Sequence, residues 1–150
     1  LIIYIGYFNI KIFITFLNNN SSELLLLYFI IITCISTDIG GYIFGKIFRG
    51  KKLTRISPNK TYSGLIGSFI LSIIVTIIFF KEYADLERII LISFIISIIS
   101  QIGDLFISYL KRKAKVKDTG KILPGHGGIL DRLDGLIFAL PLGFFIFKFL

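Results

Sequence analysis

Apolar residues in this chain run on continuously instead of alternating, and short polar clusters cut them into long blocks. A membrane-crossing helix needs about 20 mainly apolar residues. The blocks predict four full spans, over residues 24–48, 65–80, 89–110 and 129–150. An earlier block, residues 1–17, is interrupted by Asn9 and Lys11 and reads as a partial N-terminal span. Runs of this length without a two-residue period favour helices over strands. The predicted fold is an all-α polytopic transmembrane helix bundle forming a single membrane domain.

The third span breaks its own pattern. Ser93, Ser97, Gln101, Asp104, Ser108 and Lys111 recur every three or four residues, so they share one helical face among Ile, Leu and Phe. An aspartate facing lipid near the bilayer centre would cost about 2.5–3.5 kcal/mol even on the lenient insertion scale. The stripe is therefore predicted to face the bundle interior or a water-filled cavity. Pairing of Asp104 with Lys111 or Arg112 is the simpler alternative to a functional role. Asp38 is a second intramembrane acid, beside Ser36, Thr37 and the Gly40-Gly41 pair, where another backbone or a ligand could approach. The "GYIFG" run from Gly41 to Gly45 is a GxxxG, expected to make a close helix–helix contact.

Charge then supplies an orientation. The loop around 49–63 carries Arg49, Lys51, Lys52, Arg55 and Lys60, and the one around 111–128 carries Lys111, Arg112, Lys113, Lys115, Lys117 and Lys121. The loops at 18–23 and 81–88 are poor in basic residues or mixed. With four crossings the two basic loops share a side, which the positive-inside rule makes cytoplasmic. Composition agrees with a membrane protein: 55% hydrophobic, only 17% charged, net charge +8 and mean hydropathy +0.85. The positive charge therefore reads as topology and lipid or phosphate attraction, with no nucleic acid implied. A lone cysteine, Cys34, excludes an internal disulfide and a zinc-type cysteine spacing. The chain starts at Leu1 and contains no methionine, so it is expected to be the C-terminal part of a longer protein.

Chemistry concentrates between Lys117 and Pro141, "KDTGKILPGHGGILDRLDGLIFALP". The glycines around His126 free the backbone to turn its N–H groups toward an anion, although a tight turn before the last helix accounts for them as well. Asp131 and Asp134, at i and i+3, fall on one face of a helix's first turn. A favourable helix dipole explains one acid there better than two, and leaves Arg132 unexplained. With Asp104 on a neighbouring helix, these carboxylates could hold Mg²⁺, which binds one or two carboxylates plus substrate phosphates and water. The surrounding lysines and arginines would take the remaining phosphate charge.

From Ser108 through Lys111, Arg112, Lys117, Asp118, Gly120, Pro124, His126, Gly127 and Gly128 to Asp131, Arg132 and Asp134, the chain resembles the signature of the phosphatidate cytidylyltransferases (CDP-diglyceride synthases). "QIGDLFISYLKR" and "STDIGGYIFGKIF…ISPNKTYSG" resemble two further family segments, with Gly41, Tyr62 and Ser63 standing where Ala, Trp and Glu are usual. The resemblance implies transfer of the cytidylyl group of CTP to phosphatidic acid, giving CDP-diacylglycerol and pyrophosphate in phospholipid biosynthesis. It implies Mg²⁺, with room for a second cation, and Asp104 and Asp131 as the metal-ligating pair. Asp134 and Asp118 are further candidates, for metal or for ordering Arg132 and Lys117. Lys111, Arg112, Lys117 and Arg132 are candidate phosphate contacts, and Lys60 is implied to reach the nucleotide. Ser108, Asp38, Gly127 and Gly128 are the remaining candidate substrate-binding positions. His126 could be a general base, but a phosphate monoester is already largely ionised near neutral pH, which favours a phosphate hydrogen bond or a turn-fixing role. The resemblance also implies a multi-pass protein of the bacterial inner membrane with its site facing the cytoplasm. It points to a homodimer, although Gly41 and Gly45 would serve equally for packing within one chain.

Two rival readings differ in specific residues. A CDP-alcohol phosphatidyltransferase would continue the Asp131, Asp134, Gly135 start with an arginine where Phe138 stands, and with a second acidic pair downstream. An anion transporter would need polar residues through the depth of several spans, and residues 65–80 and 135–149 offer few.

Overall fold

The computed structural model describes residues 14, 21–54, 57, 60–116 and 130–149, and the side chains at 21, 22, 130–132, 148 and 149 fall outside that description. Four helices account for most of these residues: α1 (Ser21–Phe48), α2 (Tyr62–Phe80), α3 (Leu86–Lys113) and α4 (Leu130–Phe149). No strand occurs among the described residues, where an isolated antiparallel bridge between Lys52 and Thr61 is the one β-type pairing. Each predicted span is thus a helix; α1, α2 and α3 begin three residues ahead of their apolar blocks, and α4 begins within one residue of its block. The three helices α1, α2 and α3 are long and apolar enough to cross a membrane. The fourth is a helix of 20 residues, and its described apolar part is the shorter Leu133–Phe147. The expected partial span at 1–17 lies outside the described residues, apart from residue 14.

Local signals explain where the elements stop. Thr61, with extended backbone, caps α2 by accepting a 3.1 Å hydrogen bond from the Gly64 amide. Helix α3 ends in Lys111, Arg112 and Lys113, favourable charges at the negative end of the helix dipole. Its chain then reverses through Lys115 at φ 57°, with the Val116 amide bonding back to the Lys111 carbonyl at 3.0 Å.

Packing follows an inside-out pattern. On α2 the outward positions Ile66, Ile70, Ile74 and Ile78 are exposed, whereas Gly64, Gly67, Ser68, Ser72 and Thr76 are buried. Small and hydroxyl-bearing residues inside with large aliphatics outside is the arrangement expected in lipid, where apolar surface gains nothing by hiding. The apolar core, built on Phe29, Ile30, Phe80, Ile89, Ile92, Ile96 and Ala139, lies toward the end of the bundle where α2 runs into α3.

The α1–α2 contact is the closest. Gly64 presses on the Gly41 carbonyl, and a Cβ at Gly40 would stand 2.8 Å from the Gly67 carbonyl oxygen and 2.9 Å from Ser68 Cα. The GxxxG of Gly41 and Gly45 therefore packs within this chain, against Gly64. Both obstacles at Gly40 are backbone, so Gly40→Ala is expected to force the helices apart and cost about 1–3 kcal/mol. At Gly41, by contrast, a Cβ would meet nothing nearer than 3.9 Å. Gly41→Ala should be neutral, and thermal unfolding of the two variants in detergent checks the contrast.

Candidate active site

The polar stripe of α3 faces inward, as its periodicity predicts. Ser93 Oγ lies 2.7 Å from Thr76 Oγ1 of α2, and Ser97 Oγ lies 2.9 Å from Thr37 Oγ1 of α1. Gln101 Nε2 donates to Ser68 Oγ, whose own proton goes to the Leu65 carbonyl at 2.7 Å. Ser68, Thr76, Thr37, Ser93 and Ser97 are all buried. These hydroxyls bond to one another or to the preceding helical turn, so the middle of the bundle is closed by internally satisfied polar groups.

Further along the stripe the groups become charged. Lys60 Nζ donates to Asp104 Oδ2 at 3.0 Å, and the two side chains are 30% and 14% exposed. Lys111 Nζ stands 3.6 Å from Asp134 Oδ2. The alternative in which Asp104 pairs with Lys111 or Arg112 is not the arrangement found, since its ion pair is with Lys60. Two helical turns separate those residues along α3, whereas Lys60 comes across from the α1–α2 loop. Arg112 instead is exposed and donates to the Val116 carbonyl at 3.3 Å.

Lys60 is held by its loop. The Leu53 amide donates to the Lys60 carbonyl at 2.8 Å, the Lys60 amide to Ser57 at 3.1 Å, and the Tyr62 amide to Lys51 at 3.0 Å. This clamp places the ammonium directly ahead of the α2 cap. Below it a cavity of about 280 Å³ is lined by Thr37, Asp38 and Gly41 of α1, by Ser57 and Lys60, and by Gln101 and Asp104 of α3. Asp38 is exposed on the cavity wall and feels the charges of both Asp104 and Lys60. A second cavity, about 230 Å³, has a different chemistry: Leu25, Phe29, Phe80, Ile89 and Phe147 line it, with Arg88 stacked 5.7 Å from the Phe147 ring centre.

The two acids Asp104 and Asp134 come together. Asp134 senses both the charge and the side chain of Asp104, and its Oδ1 accepts the Gly135 amide at 3.1 Å. Asp104 Oδ1 is buried and has no hydrogen-bond partner. A buried carboxylate oxygen without a donor is costly, and a second carboxylate beside it adds repulsion. Both problems vanish if a cation sits there. Among the described residues no three of His, Cys, Asp and Glu converge. Two carboxylates with neutral oxygens suit Mg²⁺, which commonly keeps waters and substrate phosphates as its other ligands.

Of the remaining candidates, Ser108 is half-buried on α3. Lys117, Asp118, His126, Gly127 and Gly128 lie outside the described residues, as do the side chains of Asp131 and Arg132. Sequence reasoning missed Ser100 and Gly135, which the structure places against Asp104. Ser100 lies off the spaced polar stripe, and Gly135 entered only through the rival motif begun by Asp131 and Asp134.

Comparison with known proteins bears directly on this arrangement. The family model described as "Cytidylyltransferase family" matches residues 1–150. The chain is 51% identical over 110 residues to a phosphatidate cytidylyltransferase of Staphylococcus haemolyticus, a stretch covering 71% of this chain and 42% of that protein. It is 45% identical over 121 residues to the phosphatidate cytidylyltransferase of Rickettsia felis, covering 74% of this chain and 53% of that one. The chain thus spans about half or less of the length of these relatives. The family match along residues 1–150 shows that the chain belongs to the cytidylyltransferase family.

Proposed function

We propose that the protein transfers the cytidylyl group of CTP to phosphatidic acid, releasing pyrophosphate and forming CDP-diacylglycerol. The observation that carries this reading is the Asp104–Asp134 pair, flanked by Lys60 and Lys111, at the edge of a polar cavity in a membrane helix bundle. The names of the relatives point to the same substrate class. A phosphate oxygen of the lipid attacks the α-phosphorus of CTP, the new P–O bond forms, and the bond to the β-phosphate breaks. Both reactants are anions, so the chain's task is to gather them, align them and neutralise their charge.

Each residue has a part in that task. Asp104 and Asp134, with Asp131 on the same first turn of α4, would hold Mg²⁺. When bound, the ion would offset charge on the attacking and leaving oxygens. Lys60 and Lys111 bind phosphate oxygens, with Arg112, Lys117 and Arg132 as further contacts. Asp118 is assigned to the metal or to ordering Arg132 and Lys117, and Gly127, Gly128 and His126 are assigned hydrogen bonds to phosphate. Ser108 and Asp38 flank the substrates. The lipid phosphate is largely ionised near neutral pH, so no strong base is needed. A second cation and a homodimeric assembly are part of the same proposal.

We also place all four helices across the bacterial inner membrane, with the two lysine-rich loops and the site on the cytoplasmic side. That side is where CTP is available, and the interface is where phosphatidic acid presents its headgroup. The test uses labelled CTP and phosphatidic acid in detergent micelles with Mg²⁺. Lipid-linked cytidine should appear together with pyrophosphate, and absence of the lipid product would overturn the assignment. Asp131→Asn should abolish that product while the protein still inserts.

A further inference from the structure

We propose that Ser100 is a further oxygen ligand of the cation held by Asp104, at a place where only a glycine, Gly135, fits against both oxygens. The inference rests on the proposed reading of the Asp104–Asp134 pair and adds to it a neutral ligand and a steric requirement.

Ser100 and Asp104 stand at i and i+4 on α3, one turn apart on the same face. Ser100 is completely buried. Its Oγ and Asp104 Oδ1 are both buried and without a hydrogen-bond partner. Buried serines elsewhere in this bundle are bonded: Ser68 to Leu65, Ser72 to Phe69 and Ser93 to Ile89. Ser100 lies beside the Cys34 thiol, a weak partner at best.

The two unpartnered oxygens also point to one place. An ideal Cβ on Gly135 would stand 2.5 Å from Ser100 Oγ and 2.7 Å from Asp104 Oδ1. Any side chain at 135 would therefore push into both. Glycine lets α4 come close enough to bring the Asp134 carboxylate to Asp104. A carboxylate oxygen and a hydroxyl oxygen one helical turn apart, with a second carboxylate beside the first, form a set of hard oxygen donors, the set that Mg²⁺ or Mn²⁺ takes. Ser97, one turn earlier, is equally buried but already paired with Thr37, so it has no free oxygen to offer.

Mn²⁺ binding to the purified protein in detergent micelles, read from the electron paramagnetic resonance of the free ion without any substrate, tests the assignment. Ser100→Ala is expected to weaken Mn²⁺ binding by about tenfold or more, as loss of a supporting oxygen at a metal site does. Gly135→Ala, which leaves Ser100 in place and pushes a methyl into both oxygens, should weaken it as well. Ser97→Ala should leave it unchanged. Unchanged binding in Ser100→Ala would overturn the proposal. Equal weakening by Ser97→Ala would also overturn it, by showing a general packing effect. Because no turnover is involved, the two readings fail separately. Mn²⁺ binding that depends on Ser100 in a protein making no CDP-diacylglycerol would remove the reaction and keep the ligand. Synthesis with Ser100-independent Mn²⁺ binding would do the reverse.

Discussion

Asp104→Asn should leave a protein that inserts and folds but turns over at least about 100-fold more slowly. The carboxamide matches the carboxylate in shape, so packing against α4 survives. Its orientation is fixed by Lys60, which donates to Oδ2 of the native acid at 3.0 Å and can only be answered by the amide oxygen. The amide nitrogen must then occupy the Oδ1 position, facing Ser100, Gly135 and Asp134. That nitrogen presents N–H groups where a cation needs an oxygen lone pair. The substitution therefore removes a negative charge and also turns donors toward the proposed cation position. Raising Mg²⁺ should not restore the rate, in contrast to a variant that merely loosens the site. Labelled-CTP conversion across a Mg²⁺ series measures this, and full turnover in Asp104→Asn would remove Asp104 from the centre of the mechanism.

The helices were readable because lipid imposes a length and a continuous apolar run, and the inward stripe was readable because an intramembrane acid cannot face lipid without cost. What the stripe touches was not readable. Sequence spacing suggests partners along the same helix, and for Asp104 it suggested Lys111 or Arg112. The actual partner, Lys60, lies 44 residues away on a loop whose hydrogen bonds fix its reach. The same limit applies to Thr37, Ser68 and Thr76. In an apolar helix a lone hydroxyl usually bonds to its own backbone, and only the packing of three helices shows that these also meet Ser97, Gln101 and Ser93. On the α1 side the Gly41–Gly64 approach was signalled by GxxxG and the Gly40–Gly67 approach by the Gly40-Gly41 pair, because small residues there permit close helices. Gly135 carried no such signal. Its role depends on which atoms of α3 lie opposite it, information that a single helix does not contain.

Lys60→Met should separate nucleotide binding from metal binding. Lys60 is a cation that the α1–α2 loop contributes to the cavity edge, and its backbone is fastened on both sides by the Leu53, Ser57 and Tyr62 hydrogen bonds. A lysine held this way is already oriented when a phosphate arrives, so little side-chain freedom remains to be lost. A hydrogen bond to a charged group contributes about 1.5–3 kcal/mol, so the KM for CTP is expected to rise by about 10- to 100-fold. Metal affinity should move the other way. Removing the ammonium leaves the Asp104 carboxylate without its neighbouring positive charge, so Mn²⁺ should bind as well as before or better. Asp104→Asn predicts the opposite division, loss of metal binding together with loss of turnover. Because the two side chains share one ion pair, the double variant should not show the sum of the single effects. With the carboxylate already gone, deleting Lys60 costs only its phosphate contact. KM and Mn²⁺ affinity measured across the four proteins decide the matter. An unchanged KM in Lys60→Met would confine Lys60 to a structural pairing with Asp104. A weakened Mn²⁺ affinity would show that the ammonium shapes the carboxylate and does not compete with the cation for it.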